Sequence, residues 1–341
     1  MTGHDFNRKE SYTKAQKALA LSHFIESPGL RWSLMAVLVV TFIFVIVSFL
    51  NAAPSGLEAE NGIVSSSAST INDTSASSTE AVKFGAATTS GAQACPPVPA
   101  YPDENCTGVL PGIARTDAST TTITQDGAVI ENLEFSGRLT IDADNVTIRN
   151  IRLTTGDYWG LLVYGSNATV EDSTFIGGEN TQAPLAALNS GSFHVTRVDV
   201  SGGPDGVTMG SNSSLTDSYI HDLGAFEGAH NDGVNSDGRT NTSIIHNTVL
   251  NAIGQTSALT IGTSDAPSSL IVRDNWLAGG GYTVYGGLGG GVGNGIIFEN
   301  NIFSRQYYPN SGAYGPVAYW QASNGNTWTN NKFDNGTVIN P

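Results

Sequence analysis

Asn145-Val-Thr-Ile-Arg-Asn-Ile-Arg-Leu153 carries the pattern that decides the fold. Read from Ile148, it is apolar, two residues, a small or apolar residue, one residue, apolar: Ile148, Ile151, Leu153. Nine copies occur, starting at Ile130, Ile148, Val170, Val195, Leu215, Ile244, Val272, Phe298 and Trp328. A near-constant segment separated by variable insertions is the sequence form of a solenoid. The middle position reads Leu133, Ile151, Ser173, Val198, Ser218, and then Asn247, Asn275, Asn301 and Asn331. Alternation within each copy has period two and favours β-branched residues, which is strand chemistry. Gly, Asn, Asp and Ser fill the gaps and predict tight turns.

These features predict an all-β parallel β-helix of about nine coils, each stacked on the next at roughly 4.8 Å. The four asparagines then form an internal ladder, bonded along the axis. A second strand follows each copy, at Gly160–Val163, Pro184–Ala187, Asp205–Thr208, Asp232–Asn235, Ser257–Thr260, Tyr282–Tyr285 and Pro316–Tyr319. These segments are expected to form one continuous parallel sheet. No convincing helical period follows residue 92, which disfavours an α/β fold.

Upstream, Trp32 to Leu50 is an uncharged apolar run long enough to span a bilayer. Five basic residues and three acidic ones precede it, which places residues 1–31 in the cytoplasm and the rest outside. A cleaved signal peptide is the rival reading; the length of the run and Pro54 after Ala52-Ala53 favour an uncleaved anchor. Residues 51–91 are rich in Ser, Thr, Ala, Gly and Glu and read as a disordered stalk. Residues 92–341 form the extracytoplasmic domain. Cys95 and Cys106, the two cysteines of the chain, are expected to pair there. The net charge of −15 repels nucleic acid, and no nucleic-acid motif is present. It also repels polyanionic glycans unless calcium or local arginines reverse the field. A monomer is expected.

Chemistry-bearing residues concentrate in 219–246, which hold His221, His230 and His246, four acids and Arg239. The extra length of this coil lies between His221 and Asp232 and predicts a loop beside the sheet. Asp205-Gly206-Val207 and Asp232-Gly233-Val234 occupy the same place in successive coils, so the two carboxylates lie about 5 Å apart. Such a pair can share a proton, hold a cation such as calcium, or act as acid and base. The plain alternative is that each Asp-Gly is a turn. His230 and His221 are candidate proton-transfer groups beside Asp232. A zinc site from His221, His230 and Asp232 lacks the spacing of a known motif. His246, beside ladder Asn247, reads as structural. Asn235, Asp237, Arg239, Tyr285, Arg305 and Tyr307 are candidate substrate contacts, since aromatics stack on sugars and arginine pairs with carboxylates.

Taken together, PDENCTGVLPG (102–112), NVTIRNIRL (145–153), DSYIHDL (217–223), AHNDGVNSDG (229–238), IIHNTVL (244–250), NWLAGGGYTVYGG (275–287) and FSRQYYPNSGAYGP (303–316) resemble secreted bacterial right-handed parallel β-helix repeat proteins. That group is similar to the pectate-lyase superfold, whose members include polysaccharide lyases, hydrolases and uronate epimerases. The resemblance implies a right-handed helix and a polysaccharide or cell-wall glycan as partner. The group's usual central motif resembles His-Thr-Asp-Gly-Ile-Gln; here it reads His230-Asn231-Asp232-Gly233-Val234-Asn235. The polygalacturonase and epimerase motifs are absent, and fold alone does not supply function.

The expectation is therefore a membrane-anchored β-helix that binds a polysaccharide. Whether it also cleaves is left open. β-Elimination of a uronate glycan is favoured among reactions, with His230 or His221 as base and Asp232, Asp205 and calcium neutralising the sugar carboxylate. A non-catalytic adhesin or envelope scaffold is the alternative. A glycoside hydrolase using Asp205 and Asp232, with retention from their short separation, is a third.

Overall fold

Between the two halves of every copy the chain turns through a single residue in the left-handed region. These residues are Asn132, Asn150, Asp172, Arg197, Asp217, His246, Asp274, Asn300 and Asn330, with φ between 49 and 58°. Asn and Asp tolerate this conformation better than other side chains. The two exceptions are each held by the aspartate at the same corner one coil earlier. Arg197 donates to both oxygens of Asp172, at 2.6 and 2.9 Å. His246 Nδ1 lies 2.5 Å from Asp217 Oδ1. The one-residue corner turns the chain so that the apolar positions on both sides of it point inward.

The computed structural model describes residues 94–226, 228–287 and 293–341, together with the backbone of two earlier strands. Those strands, Ala68–Asn72 and Glu80–Phe84, pair antiparallel within a separate unit, inside the stretch expected to be structureless. The apolar run 32–50 and the other residues upstream of 94 lie outside the described residues, as does the centre of the Gly-rich segment, 288–292.

From Thr116 onward the chain forms three parallel sheets, and it is a parallel β-helix. Sheet one has nine strands, from Val129–Glu131 to Thr327–Thr329. Sheet two has ten, from Thr116–Ala118 to Lys332–Phe333. Sheet three has nine, from Thr122–Ile123 to Gly315–Ala318. Each copy of the repeat spans sheet one, the left-handed corner and sheet two. The copy starts pair in sequence order from Ile130↔Ile148 to Phe298↔Trp328. The third apolar positions do the same in sheet two, from Phe135↔Leu153 to Phe303↔Phe333. Sheet three is the sheet expected from the second strands, with Asp205-Gly206 just ahead of strand Val207–Thr208.

The interior is a column of aliphatic and aromatic side chains from Phe135 to Ile339. Inside it, the asparagine ladder is fully buried. The amides of Asn247, Asn275 and Asn301 donate to Oδ1 of the next asparagine at 2.9–3.0 Å. Each Oδ1 also accepts the backbone N–H of the preceding ladder residue. Ser173 and Ser218, three coils and one coil before Asn247, do the same job, accepting from the N–H of Ile151 and Val198.

Residues 95–112 form a strap along the outside of the corner between sheets one and two. The Cys95–Cys106 disulfide closes its first part. Tyr101 packs on His246 and Trp276, and His246 Nε2 lies 3.1 Å from the Ala100 carbonyl oxygen. Further along, Gly108 N donates to Arg197 O, Val109 N to Thr174 Oγ1 and Leu110 N to Asn150 Oδ1. The strap thus passes several coils before entering the first one at Thr116.

Candidate functional site: an axial polar track on sheet three

Glycine at 206 and 233 is dictated by coil packing. A Cβ on Gly233 would lie 2.4 Å from Val249 Cγ1 and 2.6 Å from Ala258 O; one on Gly206 would meet Ile220 Cγ2 and Gly233 O just as closely. These positions face the interior, as do Val207, Val234 and Leu259. Asp232 and Asn235, which flank this inward Gly233-Val234 pair, lie outside the apolar core, on the outer face. Asp232 lies in strand Asp232–Asn235, so the Asp-Gly pair there is not a turn.

On that face a line of hydrogen bonds runs along the helix axis. Tyr158 Oη donates to Gln182 Oε1 at 3.4 Å, and Gln182 Nε2 to Asp205 Oδ2 at 3.0 Å. The backbone N–H of Asp232 donates to Asp205 Oδ1 at 3.2 Å. Ser257 Oγ and Thr260 Oγ1 both donate to Asp232 Oδ1, at 2.6 and 2.5 Å. Asn235 and Thr260 share a register position with Tyr285. Four coil steps separate Trp159 from Ser257, about 19 Å along the axis.

Both carboxyl groups of the track are nearly covered, with 4 % of Asp205 and 5 % of Asp232 exposed. Burial, and then the neighbouring Asp232 charge, push the Asp205 carboxyl up to about 7. Burial also raises Asp232, against the hydrogen bonds from Ser257 and Thr260 and the nearby His230. Both carboxyls are thus held above the usual carboxylate range. Both oxygens of Asp205 and Oδ1 of Asp232 are engaged, whereas Oδ2 of Asp232 has no partner among the described residues. His230 is exposed beside it.

Aromatic rings flank the track. At one end Tyr158, 58 % exposed, stands edge-on to Trp159. At the other, Tyr282 touches Tyr285 and Tyr314, and Tyr285 stacks on Tyr319. Tyr314 and Tyr319 are 74 % and 53 % exposed.

Other residues singled out from the sequence lie apart from the pair. His221 follows a strand of sheet two and stacks on Tyr219 at 4.0 Å. Its Nδ1 meets Asp222 and its Nε2 meets Asp199. Burial lowers its pKa, but those two carboxylates outweigh burial and raise it. Asp237 caps the loop at 263–265, accepting from the N–H groups of Thr263, Ser264 and Asp265. The Nε of Arg239 is buried without a partner among the described residues. Arg305 is paired with Asp334, and Tyr307 packs by Gly279. The calcium reading for Asp205 and Asp232 lacks further ligands: among the described residues no three His, Cys, Asp or Glu side chains converge as a metal site.

Gln182, Ser257 and Thr260 were not singled out from the sequence. Ser257 and Thr260 stand in the columns of Asp232 and Asn235, so strand register was the signal that could have found them. Compared with protein-family models, with curated proteins and with solved structures, the chain matches none.

Proposed function

We propose that the outer face of sheet three binds an extended glycan and that Asp232 as acid, backed by Asp205, and His230 as base cleave it by hydrolysis. The observation that carries this is the covered Asp205–Asp232 carboxyl pair, bonded into one axial track and set between two aromatic platforms. Coil spacing is comparable to the length of one pyranose unit, so successive rings can meet successive coils. Tyr158 and Trp159 on one side and Tyr282, Tyr285 and Tyr319 on the other offer stacking surfaces.

In this reading Asp232, through its uncommitted Oδ2, gives a proton to the glycosidic oxygen as the C–O bond breaks. His230 takes the proton of the attacking water. Asp205 is a positioning residue, fixed by Gln182, that accepts the Asp232 backbone N–H and shares the pair's proton with it. β-Elimination has less support. It needs a positive charge against the uronate carboxylate, whereas the track itself is built from Tyr158, Gln182, Asp205, Asp232, Ser257 and Thr260, none of them a basic side chain. The apolar run 32–50 would tether the domain outside the cell.

Incubation with a panel of neutral and uronate polysaccharides tests the proposal. New reducing ends without an unsaturated, ultraviolet-absorbing product are expected. Activity falls as pH rises through about 7, where the pair loses its proton. Asp232→Asn lowers turnover by about 10²-fold or more while binding persists. Asp205→Asn moves the alkaline limb of the pH profile to lower pH. Tyr285→Ala with Tyr319→Ala weakens binding. An unsaturated product would establish the lyase instead, and binding unaffected by Asp232→Asn with no turnover on any polymer would leave an adhesin.

A further inference from the structure

A cavity lies away from this track, between the strap and the last three coils. Its volume is about 450 Å³. Val98, Pro99 and Tyr101 of the strap form one wall, and Trp276, Ile302 and Lys332 of sheet two form the other. The latter three share one register position in successive coils. Beside them run the corner residues Asp274, Asn300 and Asn330. Tyr101 and Trp276 meet at 5.4 Å and 50°, which makes an open aromatic notch.

The charges in this cavity are unbalanced locally. Asp334, also in its wall, is neutralised by Arg305. Among the described residues, neither Asp274 nor Lys332 has an ion-pair partner. They face the same space from coils two steps apart, about 10 Å along the axis. Burial and the Asp274 charge together push the Tyr101 hydroxyl up to about 12, so the charge of Asp274 is felt inside the cavity.

We propose that this cavity binds a small zwitterion with an apolar side chain, an amino acid or dipeptide. Its ammonium pairs with Asp274, its carboxylate with Lys332, and its side chain rests on Trp276 and Ile302. Opposite charges at a set separation select a ligand carrying both, because a ligand with one charge leaves the other protein group partly desolvated and unpaired. The wall made by Tyr101 belongs to the disulfide-closed strap, so the site exists in the oxidised protein. The inference is independent of the glycan reading, which concerns another sheet.

Calorimetric titration of the full chain with phenylalanyl-leucine and with phenylalanine tests it. The same titration is run with the N-acetylated and C-amidated dipeptides. Binding by an unblocked ligand, with each blocked form weaker by about tenfold or more, is expected. Asp274→Asn should erase the preference for the free ammonium, and Lys332→Met that for the free carboxylate. Asp274→Asn is compatible with the fold because Asn occupies the same left-handed corner in the next two coils. No binding by either unblocked ligand, or blocked dipeptides that bind as tightly as the parent, overturns the proposal without any variant.

Discussion

Asp205 shows how one residue ties the site to stability. Its native pKa lies above the ordinary value of 3.8, at about 7, so folding favours its protonated form. The stability linked to that proton is full below pH ~4 and is lost as pH rises to about 7. A shift of that size corresponds to about 4 kcal/mol. Asp205→Asn should therefore flatten the pH dependence and make the protein more stable than wild type at about pH 8; urea unfolding at acid and alkaline pH measures both. Equal slopes for wild type and variant would show that Asp205 is not held protonated. Gly233→Ala acts differently, by forcing a methyl group into Val249 and the Ala258 carbonyl, and should cost about 1–3 kcal/mol at any pH. At this scale the sequence reading was uneven. Asp232 and Asn235 were legible because a repeat assigns each position a column. The corner residues were not, because Asn132, Arg197 and His246 share a backbone conformation and not a chemistry.

Among the elements, the ladder offers the sharpest test. Asn275 accepts from the backbone and amide of Asn247 and donates to Asn301 and to the Ile244 and Arg273 carbonyls. Asn275→Ala strands several of these groups in the dry interior, each at about 1–3 kcal/mol. Asn275→Ser should cost less, because Ser218 already accepts the Val198 N–H from the equivalent position. Equilibrium unfolding should rank wild type, Ser, then Ala; equal losses for the two variants would mean that the ladder acts only by filling space. This element was readable in advance because four asparagines fell at one register position. The fates of Asp237 and Arg305 were not. Their partners, the loop at 263–265 and Asp334, come from other coils across insertions whose paths the repeat leaves open.

At the scale of the molecule, the strap joins coils that are otherwise linked only to their neighbours. Opening the 11-residue loop with Cys95→Ser and Cys106→Ser should cost about 3 kcal/mol. Thermal unfolding of the double variant measures it, and an unchanged melting temperature would mean that the strap holds by its backbone hydrogen bonds alone. The cysteine pairing was legible because the chain has just two cysteines, 11 residues apart in a turn-rich stretch; the long path beyond it was not, since nothing local in residues 107–112 names Arg197, Thr174 or Asn150 as partners. The strap also sets a direction. In a coil of three faces, the edge between sheets one and two stands opposite sheet three. The chain reaches the domain along that edge, so a pull transmitted from upstream arrives on the back of the molecule. The strap and the carboxyl pair with its tyrosines thus lie on opposite sides of the coil stack, so a label or graft attached along the strap leaves the tyrosine-flanked face clear.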